Sequence, residues 1–181
     1  MYSVFSSIRT VGDFFTSLKW AWQRATKGYC ELDTYSVGDW FLNTLPDMLE
    51  EIKSKGSIYG YPAEWTEEEW NENLSDLTFL LRETNKDTCT KVNPYEKEYN
   101  RISHEFRKKY GEFGEKLMSD EDKKYEKEIG YSPMYLPSHL PEYKEISELY
   151  FNEAQKIRAY QEQCKNEALE LFSKWFYRLG I

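Results

Sequence analysis

The C-terminal segment is the part of this sequence that most restricts its fold, because it contains no proline or glycine between Glu142 and Leu179. Apolar residues recur there at alternating spacings of three and four, which places them on one face of an α-helix. These residues are Ile146, Tyr150, Ala154, Ile157, Tyr160, Cys164, Ala168, Leu171, Trp175 and Leu179. Such a helix is roughly 57 Å long, whereas a compact chain of this size is about 40 Å across. We therefore expect it to kink, to project, or to pair with a second copy in a homodimer.

The remaining sequence predicts an all-α fold, a bundle of about five or six helices in total. Helix-capping residues alternate with apolar stripes of helical period, and no alternating β pattern is longer than four residues. The other predicted helices span 13–26, 36–55, 66–83, 94–110 and 119–129. We expect the ends of these helices to lie at Gly28, at Gly56 and in the proline-rich interval 130–141.

Two of these helices have features that make sharper predictions. In the first, Phe14, Leu18, either Ala21 or Trp22, and Ala25 recur at helical spacing and predict a buried stripe. In the second, Pro46 lacks a backbone donor and crowds the preceding turn, which predicts a kink or a fresh start of the helix. The following segment, 56–64, is rich in glycine, proline and tyrosine and predicts an ordered loop.

Hydrophobic residues make up 40% of the 181 residues, enough to form a core. We expect one helical domain over residues 1–181, with a polar, charge-rich helical insertion over 85–140. No stretch is apolar and long enough for a membrane span, and the first ten residues do not resemble a signal peptide. Three widely separated cysteines are typical of reduced thiols in a cytosol. These features predict a protein of the cytoplasm without a membrane partner.

Acidic residues are concentrated in one block of the chain. Residues 1–30 carry a net charge of +3, residues 31–76 carry −10, and residues 77–181 carry −1. Duplex nucleic acid is bound through clustered lysine and arginine, so we do not expect it as a partner. The acidic block could dock on a basic protein surface, or its carboxylates could be ordinary helix-start and surface residues.

A candidate ligand site lies around the turn after the first helix. Trp20 and Arg24 are four residues apart and share a helix face, so an indole and a guanidinium together could hold a flat anionic ligand. The complete set of predicted binding residues is Trp20, Arg24, Lys27, Tyr29, Asp33, Thr34 and Tyr61. Two alternatives stay open: an internal ion pair between Arg24 and Asp33 with Trp20 in the core, or a surface that binds a partner protein.

An enzymatic alternative rests on paired carboxylates. Helical nucleotide pyrophosphatases hold Mg²⁺ with carboxylates from two helices, and this chain offers Asp47 with Glu50 and Glu69 with Glu72, followed by Asp76. However, glutamates in the first turn of a helix are favoured by the helix dipole without any metal. We therefore expect a protein that is not an enzyme and that has no cofactor.

Several short motifs resemble an uncharacterised family of bacteriophage-encoded helical proteins. They are the run from Trp22 to Tyr29 (WQRATKGY), Asp33 to Tyr35 (DTY), Leu45-Pro46, Gly60 to Pro62 (GYP) and the closing segment from Glu167 to Leu179 (EALELFSKWFYRL). A histidine often precedes the Gly-Tyr-Pro motif of that family, and Tyr59 stands there in this chain. The resemblance implies a small protein that acts in the cytoplasm of a bacterial host, in host interference or counter-defence.

Taken with the candidate site, these observations predict a non-catalytic protein that sequesters a small anionic, nucleotide-like ligand. The alternative hypothesis is an acidic inhibitor that binds a host or defence protein. The second alternative is a Mg²⁺-dependent helical nucleotide pyrophosphatase. We expect any homodimer to form through the C-terminal helix.

Overall fold

A computed structural model describes residues 11–56, 62 and 65–179 of the chain. Six α-helices and no β-strand occur within these ranges, which confirms the all-α prediction. They are α1 (Val11–Lys27), α2 (Val37–Lys55), α3 (Glu67–Thr84), α4 (Glu96–Tyr110), α5 (Asp120–Ile129) and α6 (Pro141–Trp175). Short 3₁₀ helices lie at Glu31–Tyr35, Glu115–Leu117, Pro137–His139 and Phe176–Arg178. Most of the loop predicted over 56–64 lies outside the described residues.

Helix ends follow the capping residues. Thr66 caps α3 by accepting a hydrogen bond from the backbone N–H of Glu69, whose carboxylate accepts one in return from the N–H of Thr66. Gly28 follows α1 at a positive φ of 79°, which glycine adopts without strain. Of the kink or fresh start predicted at Pro46, the fresh start does not occur, because α2 runs from Val37 through Pro46 to Lys55 as one helix.

The first compact unit comprises Met1–Thr90 and Tyr160–Ile181. Its core consists of buried leucines on α2 and α3 and two residues near the end of α6, and its members are Leu49, Trp70, Leu74, Leu77, Leu81, Ala168 and Trp175. Trp65, Trp70 and Trp175 lie with ring centroids 5.6–6.4 Å apart. All six tryptophans of the chain belong to this unit, so tryptophan fluorescence reports on it selectively.

The second unit, Lys91–Ala159, has a smaller core around Ile102, Phe106 and Tyr143. Tyr99 and Tyr150 stack there with their ring centroids 4.1 Å apart. This unit overlaps the polar segment 85–140 that the sequence marks as an insertion. The organisation as one domain with an insertion stays a prediction.

The apolar stripe of α1 differs from its prediction. Phe14 and Leu18 are each 43% exposed and Trp22 is 72% exposed, so the expectation that this stripe is buried is wrong. The face that α1 buries instead contains Ser17, which is 4% exposed, with Trp20, Ala21 and Arg24 half-buried beside it. This face adjoins the exposed stripe on the helix surface, because successive residues are 100° apart.

Candidate binding site

The 3₁₀ helix Glu31–Tyr35 is fixed to α1 by two ion pairs. Arg24 donates from Nε to Asp33 Oδ2 over 3.0 Å and from Nη2 to Asp33 Oδ1 over 2.5 Å. On the more exposed side, Lys19 Nζ lies 2.6 Å from Glu31 Oε2. Asp33 also accepts a 2.7 Å hydrogen bond from the backbone N–H of the buried Cys30. The ion pair between Arg24 and Asp33 that the sequence left open is therefore present.

These contacts change the ionisation of Asp33. The hydrogen bonds from Arg24 outweigh the effect of burial, and with the bonds from Cys30 they lower the pKa of Asp33 from its ordinary 3.8 to about 2. Asp33 is therefore charged at neutral pH and neutralises the guanidinium beside it. Arg24 already uses two of its donors on this carboxylate.

A cleft of about 550 Å³ lies between the end of α1, the 3₁₀ helix and α2. Its lining combines exposed apolar side chains with carboxylates, and consists of Arg24, Gly28, Leu32, Asp33, Tyr35, Ser36, Asp39, Trp40, Asn43, Thr44, Asp47 and Met48. Among the described residues of this lining, one is a cation and three are carboxylates. The cleft wall is therefore apolar and acidic.

On α2, the lining forms two adjacent ridges at a spacing of four residues. The polar ridge contains Asp39, Asn43 and Asp47, and the other contains Trp40, Thr44 and Met48. Asn43 is held by bonds in both directions: its amide donates to the carbonyl of Asp39 over 2.7 Å, and its Oδ1 accepts from Asn85 over 2.8 Å.

The charge of the two ridge carboxylates is only partly compensated. Asp39 accepts a 2.6 Å hydrogen bond from the hydroxyl of Ser36, which is neutral. Asp47 lies 3.6 Å from a guanidinium nitrogen of Arg82, which is closer to Glu50, at 2.9 Å. One arginine is thus shared by two carboxylates, and a surplus of negative charge remains along α2.

A separate, smaller depression of about 330 Å³ is lined by Lys19, Gln23, Lys27, Tyr29, Glu31 and Thr34. Its two lysines are opposed by one glutamate. Gln23 is engaged in the turn, because its Oε1 accepts a 2.9 Å hydrogen bond from the backbone N–H of Glu31.

The structure divides the predicted binding residues between these two places. Arg24 and Asp33 line the cleft, and Lys27, Tyr29 and Thr34 line the depression. Trp20 is half-buried on α1 and lines neither, and Tyr61 lies outside the described residues. Two exposed aromatic rings of the cleft, Tyr35 and Trp40, were not among the predicted binding residues. For Trp40, the four-residue spacing to Thr44 and Met48 is the signal that could have indicated it.

Three of the five carboxylates considered for Mg²⁺ have other partners. Asp47 and Glu50 contact Arg82, and Glu69 belongs to the cap of α3. In the described ranges, no three histidine, cysteine, aspartate or glutamate side chains are grouped as ligands for a metal ion. None of the helices in these ranges is sufficiently long and apolar to span a bilayer.

Comparison of the chain with protein-family models, with curated proteins and with solved structures gives no match.

Proposed function

We propose that this protein is a non-catalytic binding protein whose cleft between the 3₁₀ helix and α2 takes a basic, amphipathic segment of another protein. The observation that carries the proposal is the lining of that cleft, in which large exposed apolar groups stand beside a surplus of carboxylates. This proposal corresponds to the protein-binding alternative stated above. It places the binding surface at the cleft rather than over the whole acidic block 31–76.

Charge favours a cationic occupant over an anionic one. The guanidinium of Arg24, the one cation among the described lining residues, is already bonded twice to Asp33. An anion entering the cleft would have to displace Asp33 and would lie near Asp39 and Asp47. A lysine or arginine of a partner would instead meet those two carboxylates.

The spacing of the ridge indicates what the partner segment contains. Asp39 and Asp47 are eight residues apart on one helix, which corresponds to about 12 Å. A partner helix that places basic residues about seven or eight positions apart would reach both carboxylates. Apolar residues between them would contact Trp40 and Met48, and a cation could stack on the rings of Trp40 or Tyr35.

The first test removes the ridge charges without changing side-chain shape. We expect Asp39→Asn/Asp47→Asn to weaken binding of a basic amphipathic helical peptide by about tenfold and to reduce the salt dependence of binding. The probe is a labelled leucine–lysine peptide of about 18 residues, and fluorescence anisotropy at low and high NaCl is the measurement.

The matched control is Glu128→Gln/Glu148→Gln, which removes two exposed carboxylates outside the first unit and changes the net charge equally. This variant should bind the peptide like the wild type. An equal loss of affinity in both variants would mean that the peptide responds only to the net charge of −8. A glutamate-for-lysine version of the peptide should not bind to any variant.

A second candidate function is the sequestering of a small anionic, nucleotide-like ligand, with the depression as its site. The observation in its favour is that this depression contains Lys27, Tyr29 and Thr34 together with a second lysine, Lys19. A phosphate could contact the lysines while Tyr29 stacks on a planar ring.

Native mass spectrometry of the purified chain separates the two candidates. If the depression binds a nucleotide, a bound mass should be present, and Lys27→Ala should remove it while Asp39→Asn/Asp47→Asn retains it. A bound mass that survives Lys27→Ala would exclude the depression as its site. If the purified chain carries no small molecule, ATP is added at millimolar concentration. The wild type and Asp39→Asn/Asp47→Asn should then bind ATP, and Lys27→Ala should not.

The biological setting of the proposal comes from the resemblance to phage-encoded proteins. It supports a role in the cytoplasm of an infected bacterium, where a small binding protein could block a host or defence protein. A pull-down from host lysate with the wild type and with Asp39→Asn/Asp47→Asn as bait tests this role, because a specific target is captured only by the wild type.

A further inference from the structure

The apolar stripe on α1 is a second feature that the proposed cleft does not explain. Phe14, Leu18 and Trp22 are four residues apart in turn, and Phe15 lies seven residues before Trp22, so these four side chains form one stripe along the helix. Phe14 and Leu18 are each 43% exposed, Phe15 is 65% exposed and Trp22 is 72% exposed. The 3₁₀ helix Glu31–Tyr35, which α1 contacts through its basic residues, leaves this stripe uncovered.

We infer that this stripe is an interface between two copies of the chain, which pair through α1 in a homodimer. The first argument is area. At about 150–250 Å² for each aromatic side chain, the four exposed side chains present roughly 450 Å². That is as large as the largest apolar patch of a typical monomer. Two copies would bury about 900 Å², close to the roughly 1,000 Å² at which specific interfaces begin, and residues flanking the stripe would complete the contact.

The second argument is charge, which favours a second copy over an acidic membrane. The chain has a net charge of −8, but residues 1–30 carry +3 and the stripe itself contains no ionised side chain. Within α1, Lys19 and Arg24 are already paired with Glu31 and Asp33, so two copies can meet through the apolar stripe without opposing these cations unpaired. A bilayer of anionic lipid would repel the rest of the molecule.

The third argument is self-complementarity. In an antiparallel pair of helices related by a twofold axis near Leu18, each Leu18 meets its copy, and the phenylalanines of one helix face Trp22 of the other. On α6, by comparison, the exposed apolar residues form no stripe. Leu149 and Phe151 are two positions apart and so lie on different faces of the helix, and Leu169 is far from both along it. The α1 stripe is therefore a better candidate for pairing than α6, through which the sequence analysis expected the dimer.

The test is the oligomeric state of the full chain by sedimentation velocity over about 1–100 µM. The wild type should be a dimer that dissociates on dilution, and Leu18→Glu should weaken dimerisation by about tenfold or more. Phe15→Glu is a second variant; its ring is mostly exposed, so its replacement does not disturb the monomer. Circular dichroism checks that each variant is folded.

Two control variants place a glutamate elsewhere. Leu169→Glu on α6 and Phe113→Glu in the second unit should leave the dimer intact. A wild type that is monomeric at every concentration would overturn the inference, as would loss of the dimer in Leu169→Glu but not in Leu18→Glu. Co-sedimentation of the wild type, but not Leu18→Glu, with phosphatidylserine vesicles would assign the stripe to a membrane instead.

Discussion

Replacing Glu83 with alanine should lower the free energy of unfolding of the first unit by about 3 kcal/mol. Glu83 is only 1% exposed, near the C-terminal end of α3, where the helix dipole disfavours a negative charge. Its carboxylate accepts hydrogen bonds from the backbone N–H of Thr90 at 3.0 Å and from the Thr90 hydroxyl at 2.8 Å. Cys89 Sγ lies 3.7 Å away, and the hydroxyl of Tyr160 donates a further bond. Alanine would remove the buried acceptor of these partly buried hydrogen bonds.

Urea unfolding followed by tryptophan fluorescence measures this loss, because every tryptophan belongs to the first unit. The control is Glu72→Ala on the same helix, which is exposed and should change stability by less than about 0.5 kcal/mol. Equal stability of Glu83→Ala and the wild type would mean that the carboxylate stabilises nothing in the folded chain.

The contribution of Glu83 should depend on pH in a defined direction. Burial raises the pKa of Glu83, but the bonds from Thr90, Tyr160 and Cys89 outweigh burial, and the pKa lies below its ordinary 4.5. A carboxylate whose pKa is lower in the folded chain stabilises the fold fully when the pH is above the pKa of the unfolded chain. This stabilisation is lost as the pH falls through the pKa of the folded chain. The difference in stability between the wild type and Glu83→Gln should therefore narrow below about pH 4.

The helices could be predicted from the sequence because their signals are local. The cap at Thr66 and the turn at Gly28 are determined by residues within four positions, and both predictions are confirmed. The predicted start of α4 is Pro94, whereas the helix begins at Glu96. The physical reason is Asn93, whose Oδ1 accepts a 3.0 Å hydrogen bond from the N–H of Tyr95 and holds a turn before the helix.

What could not be predicted depends on contacts between distant residues. Periodicity shows that Phe14, Leu18 and Trp22 form a stripe, but it does not show what covers that stripe, and the structure leaves it exposed. Similarly, nothing near Glu83 in the sequence indicates burial, because its partners come from the following loop and from α6. The binding residues Arg24 and Lys27 were expected together because residues three apart share a helix face. The structure separates them, since Arg24 is bonded to Asp33 in the cleft while Lys27 lines the smaller depression.

Replacing Asp33 with asparagine should cost about 2 kcal/mol at neutral pH, because the pKa of this carboxyl is lowered from 3.8 to about 2. Only 9% of the Asp33 side chain is exposed, so solvent screens its bonds to Arg24 little. The stabilisation is present above pH 4 and is lost as the pH falls toward 2. Urea unfolding at several pH values, followed by tryptophan fluorescence, should show this loss in the wild type but not in Asp33→Asn.

The control pair is Lys19 and Glu31, which joins the same two helices with both side chains more than half exposed. Glu31→Gln should therefore lower stability far less than Asp33→Asn does. A double-mutant cycle with Arg24→Ala and Asp33→Ala should give a coupling energy well above that of the control pair, because either single change leaves a partly buried charge unpaired. If Arg24→Ala instead leaves stability unchanged, its guanidinium does not hold the 3₁₀ helix and is available to a ligand. The cycle thus decides whether Arg24 supports the wall of the cleft or binds what enters it.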